Sequence, residues 1–123
     1  MTNRVPCILS VSYDEPLLRT REWILQGAGF AVTSTLGFTE AIAHCRSEAF
    51  DLAIIGHSIP TSDRIALINQ LRTHNHTRVL ALRRHGDEHV PGADHSIEPS
   101  LGADALIEAV RTVLATPSSN QEV

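Results

Sequence analysis

The sequence predicts an α/β fold, a doubly wound sheet of five parallel strands, on three observations. Short apolar runs alternate along the chain with segments of helical period. The central run, Phe50-Asp51-Leu52-Ala53-Ile54-Ile55-Gly56, is apolar on both faces, as a strand covered on both sides must be. The 123 residues suffice for one domain with a core that needs no metal or disulfide staple.

The elements follow in order. Cys7-Ile8-Leu9-Ser10-Val11-Ser12 is an apolar run without helical period and reads as a buried strand. Asp14-Glu15-Pro16 then supplies a capping acid and a proline suited to a first helical turn. Leu17, Leu18, Ile24, Leu25 and Ala28 continue at helical spacing until Gly27 and Gly29 stop the helix. Phe30 to Ser34 favours a pleated surface and predicts the second strand. Thr39 opens a second helix through Ala41, Ile42, Ala43 and Cys45, and Phe50 to Gly56 follows as the third strand. After a loop from His57 to Ser62, a third helix runs through Ile65, Ile68 and Leu71. Val79 to Leu82 predicts the fourth strand and His95 to Ile97 a weaker fifth. In the last helix Leu106, Ile107, Val110, Val113 and Leu114 share one face. The domain spans 5–115, and 116–123 is expected to be a disordered tail.

Composition removes several function classes. Hydrophobic residues make up 42% and charged residues 20%, which excludes a disordered, collagen-like or coiled-coil chain. Ten basic side chains face fourteen acidic ones, a net charge of −4, which argues against a general nucleic-acid binder. All ten are arginine, and the chain has no lysine. No run approaches the roughly eighteen consecutive apolar residues of a membrane span, and Met1 to Pro6 lacks the apolar core of a signal peptide. Cys7 and Cys45 stand far apart without metal or redox spacing, so packed, reduced thiols in a cytoplasmic protein are expected.

In open doubly wound sheets, sites lie beyond the carboxyl ends of the strands, at the switch in strand order. The positions that matter are therefore Tyr13, Asp14 and Glu15 after the first strand and Gly56 and His57 after the third. Arg83 and Arg84 follow the fourth, and Glu98 the fifth. Asp51 begins its strand and lies at the opposite end of the sheet.

Ser12-Tyr13-Asp14-Glu15-Pro16-Leu17-Leu18 resembles the V-D-D-E-P segment of bacterial response-regulator receiver domains. Phe50-Asp51-Leu52-Ala53-Ile54-Ile55-Gly56-His57-Ser58-Ile59-Pro60 resembles their D-L-V-L-L-D-x-x-M-P segment, and Glu98-Pro99 falls where the family has Lys-Pro. The resemblance covers about Pro6 to Leu114. It implies a flavodoxin-like sheet of order 2-1-3-4-5. The segment from Arg83 to Glu98 is about two helical turns shorter than in the family, so the fourth helix is expected to be shortened or missing.

The resemblance also implies a chemistry, and this sequence departs from it. A typical receiver takes a phosphoryl group on an aspartate ending the third strand. Two acids after the first strand help to hold Mg²⁺, a cation that wants oxygen ligands. A Ser or Thr and a lysine contact the phosphoryl oxygens. Carried over by position, the acid pair becomes Tyr13 and Asp14, the phosphoacceptor Gly56, the hydroxyl Arg83 and the lysine Glu98. Only Asp14 survives, so the resemblance implies a degenerate pseudo-receiver without cofactor, metal or catalytic residues. The switch positions become Arg83 and His95.

Arg83 is expected either to fill the space left at Gly56 and pair with Asp14 and Glu98, or to join Arg84 in a solvated turn. Glu15 either helps Asp14 to hold a cation or, with it, complements the helix dipole. His57 and Ser58 are displaced substitutes for the phosphoacceptor, or plain loop residues. His85, His89 and His95 lie close in sequence, as do His74 and His76, and supply either metal ligands or loop polarity. The Glu98-Pro99 bond is expected to be cis by the resemblance. The functional expectation is a stand-alone, phosphorylation-independent interaction module of bacterial two-component signalling. Its partner is a signalling protein or a second copy, with no nucleic acid and no membrane. The alternatives are phosphorylation at an atypical residue and a small metal or ligand binder using loop histidines.

Overall fold

The computed structural model describes residues 5–75, 77–82, 93–98 and 102–115. In chain order they form β1 (Cys7–Ser12), α1 (Glu15–Gly27), β2 (Ala31–Leu36), α2 (Phe38–Ser47), β3 (Leu52–Ile55), α3 (Thr61–Asn75), β4 (Arg78–Leu82), β5 (His95–Ile97) and α4 (Ala103–Ala115). The five strands are parallel and ordered β2-β1-β3-β4-β5, the doubly wound arrangement expected. Of the segment from Arg83 to Glu98, in which a shortened or missing fourth helix was expected, residues 83–92 lie outside the described residues. So do the Glu98-Pro99 bond and the 116–123 tail.

Successive strand residues point to opposite faces, and this alternation divides the core in two. Leu9, Val11, Ala53, Ile55, Val79 and Ala81 face α2 and α3, packing with Ala41, Cys45, Leu67, Ile68 and Leu71. Ile8, Leu52, Ile54, Leu80 and Leu82 face α1 and α4, where Leu25, Leu106, Ala109, Val110 and Val113 cover them. Each of the large aliphatic residues contributes about 1.5–3 kcal/mol by leaving water. At the amino end of the sheet, Asp51 Oδ2 accepts the Cys7 backbone N–H at 2.7 Å, which confirms its place away from the site.

Several boundaries differ from the expectation, each for a local reason. Phe30 donates its N–H to the Leu25 carbonyl and completes the exit from α1, so β2 begins one residue later, at Ala31. The strand runs on to Leu36, whose N–H meets the Glu40 carboxylate. Gly37, at φ 103°, lets α2 begin at Phe38, one residue before Thr39. Pro60 accepts the Arg64 N–H, which starts α3 at Thr61 inside the expected loop. Ile65 is exposed, and Leu67 takes the buried place on that helix. Cys7 and Cys45 are both unbridged, and burial pushes the Cys45 thiol up.

Candidate functional site

The strand order reverses beside β1, which pairs with both β2 and β3, so the crevice lies where β1 and β3 end. Val11 pairs with Ile55, Ile55 with Ala81, and Leu82 with Ile97, so the strands end together on one rim. Tyr13 and Asp14, Gly56, and Glu98 follow directly from β1, β3 and β5. The structure brings these sequence-predicted positions to one edge. Arg83 lies outside the described residues, and His95 is exposed on β5.

Asp14 caps α1, its Oδ1 accepting the Leu17 N–H at 3.2 Å, which stabilises the helix by about 1 kcal/mol. Its own N–H donates to Ser12 Oγ at 3.0 Å. The Ser12 and Ser58 hydroxyls lie 3.3 Å apart, and the Tyr13 N–H donates to Ser58 Oγ at 3.0 Å. Ser58 therefore holds the β1–α1 turn against the β3–α3 loop. The Tyr13 hydroxyl donates to Asp63 Oδ2 at 2.6 Å, a strap onto the first turn of α3. Partial burial, with the Asp63 hydrogen bond and charge adding to it, pushes the Tyr13 phenol up to about 12.

Gly56 is the centre of the arrangement. Its N–H donates to the Val11 carbonyl at 3.0 Å. A Cβ built on Gly56 would stand 3.0 Å from that carbonyl oxygen, 3.0 Å from Arg21 Nη1 and 3.5 Å from Ser12 Cβ. The space that an acidic side chain would enter at the end of β3 is bordered by a guanidinium. That guanidinium belongs to Arg21 of α1; Arg83, the arginine expected to fill this space, lies outside the described residues.

Arg21 was not singled out from the sequence. It is 5% exposed, and Nη1 and Nη2 have no hydrogen-bond partner among the described residues. Burial holds its pKa below the ordinary arginine value, and the nearby Asp14 charge only partly opposes this. A signal was available: Leu18, Arg21 and Leu25 are the buried residues of α1, spaced i, i+3 and i+7 on one stripe. Gly56, Ser12 and Ser10 continue the Ile8–Ile54 face of the sheet, which leaves room under α1 for a side chain this long. A second buried arginine, Arg64, reaches Thr61 Oγ1 at 3.4 Å and has no partner for Nε and Nη1 among the described residues.

The donors at this rim do not fit Mg²⁺. Asp14 Oδ1 is committed to the helix cap, Tyr13 to Asp63, Gly56 offers no side chain, and Arg21 brings a cation. Among the described residues, no three His, Cys, Asp or Glu side chains cluster as metal ligands. His85 and His89 lie outside them. Glu98 is half-buried, has an interaction of its own, and lines a cleft with Arg21 between α1 and α4. No described helix is long and apolar enough to cross a membrane.

Comparison with solved structures shows the fold. A response regulator from Thermotoga maritima superposes with a TM-score of 0.79 at 22% identity, covering 92% of this chain and 100% of that one. The chemotaxis response regulator CheY4 of Vibrio cholerae gives 0.79 at 18% identity, covering 89% and 99%. This is the response-regulator receiver fold. The chain is also 36% identical over 83 residues to the regulatory protein VanRc of Enterococcus gallinarum. That match covers 68% of this receiver-type chain and spans 34% of VanRc. No protein-family model matches the sequence. Gly56 follows directly after β3, where the sequence resemblance places the phosphoacceptor.

Proposed function

We propose that this receiver-type domain serves two-component signalling as an interaction module and takes no phosphoryl group at the end of β3. The observation that carries the reading is the Arg21 guanidinium against Gly56, 3.0 Å from where a side chain would begin. Phosphoryl transfer needs a nucleophile held in line and neutralisation of the phosphoryl oxygens. Gly56 supplies no nucleophile, Asp14 is a helix cap, Glu98 adds negative charge, and the chain contains no lysine. Arg21 supplies instead a fixed positive charge beside Asp14. The module then acts through its surface, by docking to a signalling protein or to a second copy, with no catalytic step of its own.

The test is incubation with acetyl phosphate and Mg²⁺, read by intact mass, with beryllofluoride and Mg²⁺ followed by amide shifts. The expected result is an unchanged mass and no amide shifts at Asp14 or Gly56. Gain of one phosphoryl group overturns the reading, and fragmentation then identifies the atypical acceptor, with His57 and Ser58 the nearest candidates.

A further inference from the structure

We propose that the free edge of β2 pairs with the same edge of a second copy, antiparallel about a two-fold axis at Thr33. This rests on the reading of the domain as a docking module and names a second copy as its partner. β2 ends the sheet, with β1 its neighbour among the described strands. Ala31 and Gly37 donate their N–H groups to Pro6 and Ser12 at the two ends of β1, so the odd-numbered residues of β2 bond toward β1. Phe30, Val32, Ser34 and Leu36 therefore direct their N–H groups outward. The fold occupies the outer two: Phe30 donates to the Leu25 carbonyl at 3.1 Å, and Leu36 to the Glu40 carboxylate at 3.0 Å. Among the described residues, no acceptor meets the N–H groups of Val32 and Ser34. These remaining donors stand symmetrically about Thr33.

That symmetry selects a second copy and fixes the register. Turned about Thr33, Val32 of one chain lies opposite Ser34 of the other, and each such pair exchanges both its N–H···O bonds. Thr33 meets its own copy as the closer, non-hydrogen-bonded pair. Phe30 lies opposite Leu36, a side chain 47% exposed in the single chain. Nothing in Ala31–Leu36 opposes the pairing: it holds no charge and no proline, and its register with β1 runs without a bulge. Glu15 and Glu40 border Leu36, and the two-fold sets these acidic ends on opposite sides of the axis. Three residues each way at about 3.4 Å keep them about 20 Å apart, beyond the Debye length of about 8 Å. The same axis closes the assembly at a dimer.

The test is sedimentation of the full chain, with amide hydrogen exchange followed by ¹⁵N NMR. An edge this short is expected to give a monomer–dimer equilibrium with a Kd of about 100 µM. The Val32 and Ser34 amides should then exchange about threefold more slowly at about 1 mM than at about 50 µM, in proportion to the free chain. The amide of Ser62, in the exposed first turn of α3, should not change. Thr33→Lys and Thr33→Glu should each weaken the dimer at least about tenfold, because the axis sets like charges side by side. Their equimolar mixture should associate at least as tightly as the native chain. The proposal is overturned if the native chain stays monomeric at about 1 mM, or if exchange at Val32 and Ser34 is independent of concentration. It is equally overturned if either folded variant dimerises as well as the native chain, or if the two folded variants fail to recover association when mixed. The exchange measurement uses the native chain and decides the matter without either variant. Phosphoryl gain is read by mass and association by sedimentation, so this proposal and the reading it rests on can fail separately.

Discussion

Replacing Arg21 by methionine should make this domain more stable, although the change deletes a buried side chain. Two opposing effects set the sign. The guanidinium is 5% exposed, and both terminal nitrogens lack a partner among the described residues, so the desolvation cost of the charge stands without a described acceptor. Asp14 offsets part of it through space, but burial is the larger influence on Arg21. Buried ionic groups replaced by apolar residues of similar volume give changes from neutral to about 1–4 kcal/mol stabilising. With the Asp14 attraction lost, we expect about 2 kcal/mol, which for a domain of this size raises Tm by roughly 8 °C. Methionine keeps the volume and bends into irregular space, so little cavity cost is expected. The assay is urea unfolding followed by far-ultraviolet circular dichroism, read as a higher midpoint at unchanged slope. Trp23, the sole tryptophan, is 78% exposed and would report the core poorly. Destabilisation by more than about 1 kcal/mol would refute the reasoning, since removal would then be breaking a compensated contact rather than relieving an orphaned charge.

Gly56→Ala should destabilise by about 1–3 kcal/mol, because the new Cβ stands 3.0 Å from the Val11 carbonyl, a backbone atom held by the Gly56 N–H. The cost should shrink when Arg21→Met is also present, and a neutral Gly56→Ala melt would contradict the close approach. Tyr13, the only tyrosine, gives a clean tyrosinate absorbance titration with a midpoint near 12 in the folded chain. Its folded pKa lies above the ordinary value of about 10, so its contribution to stability is fully present below pH 10 and is lost as pH rises through 12. Asp63→Asn should bring the midpoint part of the way back, burial holding the remainder, and a native midpoint near 10 would dismiss the Tyr13–Asp63 strap.

The fold was legible because it rests on local chemistry repeated along the chain. The continuous apolar run of β3 marked a strand covered on both faces, and the stripe of Leu106, Val110 and Val113 marked a helix lying on it. Boundaries were less legible where one contact shifts them, as the Phe30 N–H bonded to Leu25 and the Pro60 carbonyl bonded to Arg64 do. Of the site, Asp14 and Gly56 were placed correctly at the rim because they follow directly from strands. Arg21 was overlooked because it lies in mid-helix, where an arginine is usually solvated.

By itself, then, the sequence determined the strand alternation, the helix cap at Asp14, the glycine at the end of β3 and the lack of any lysine. These are properties of residue type and spacing, and no tertiary contact can restore an absent side chain. The tertiary structure alone decided what stands in the vacated space. Arg21 and Gly56 are separated by two strands and a helix, and only the packing of α1 over the Ser12–Gly56 edge of the sheet brings them together. That same packing seals the guanidinium from water, and so turns an ordinary helical arginine into a buried cation with no partner among the described residues.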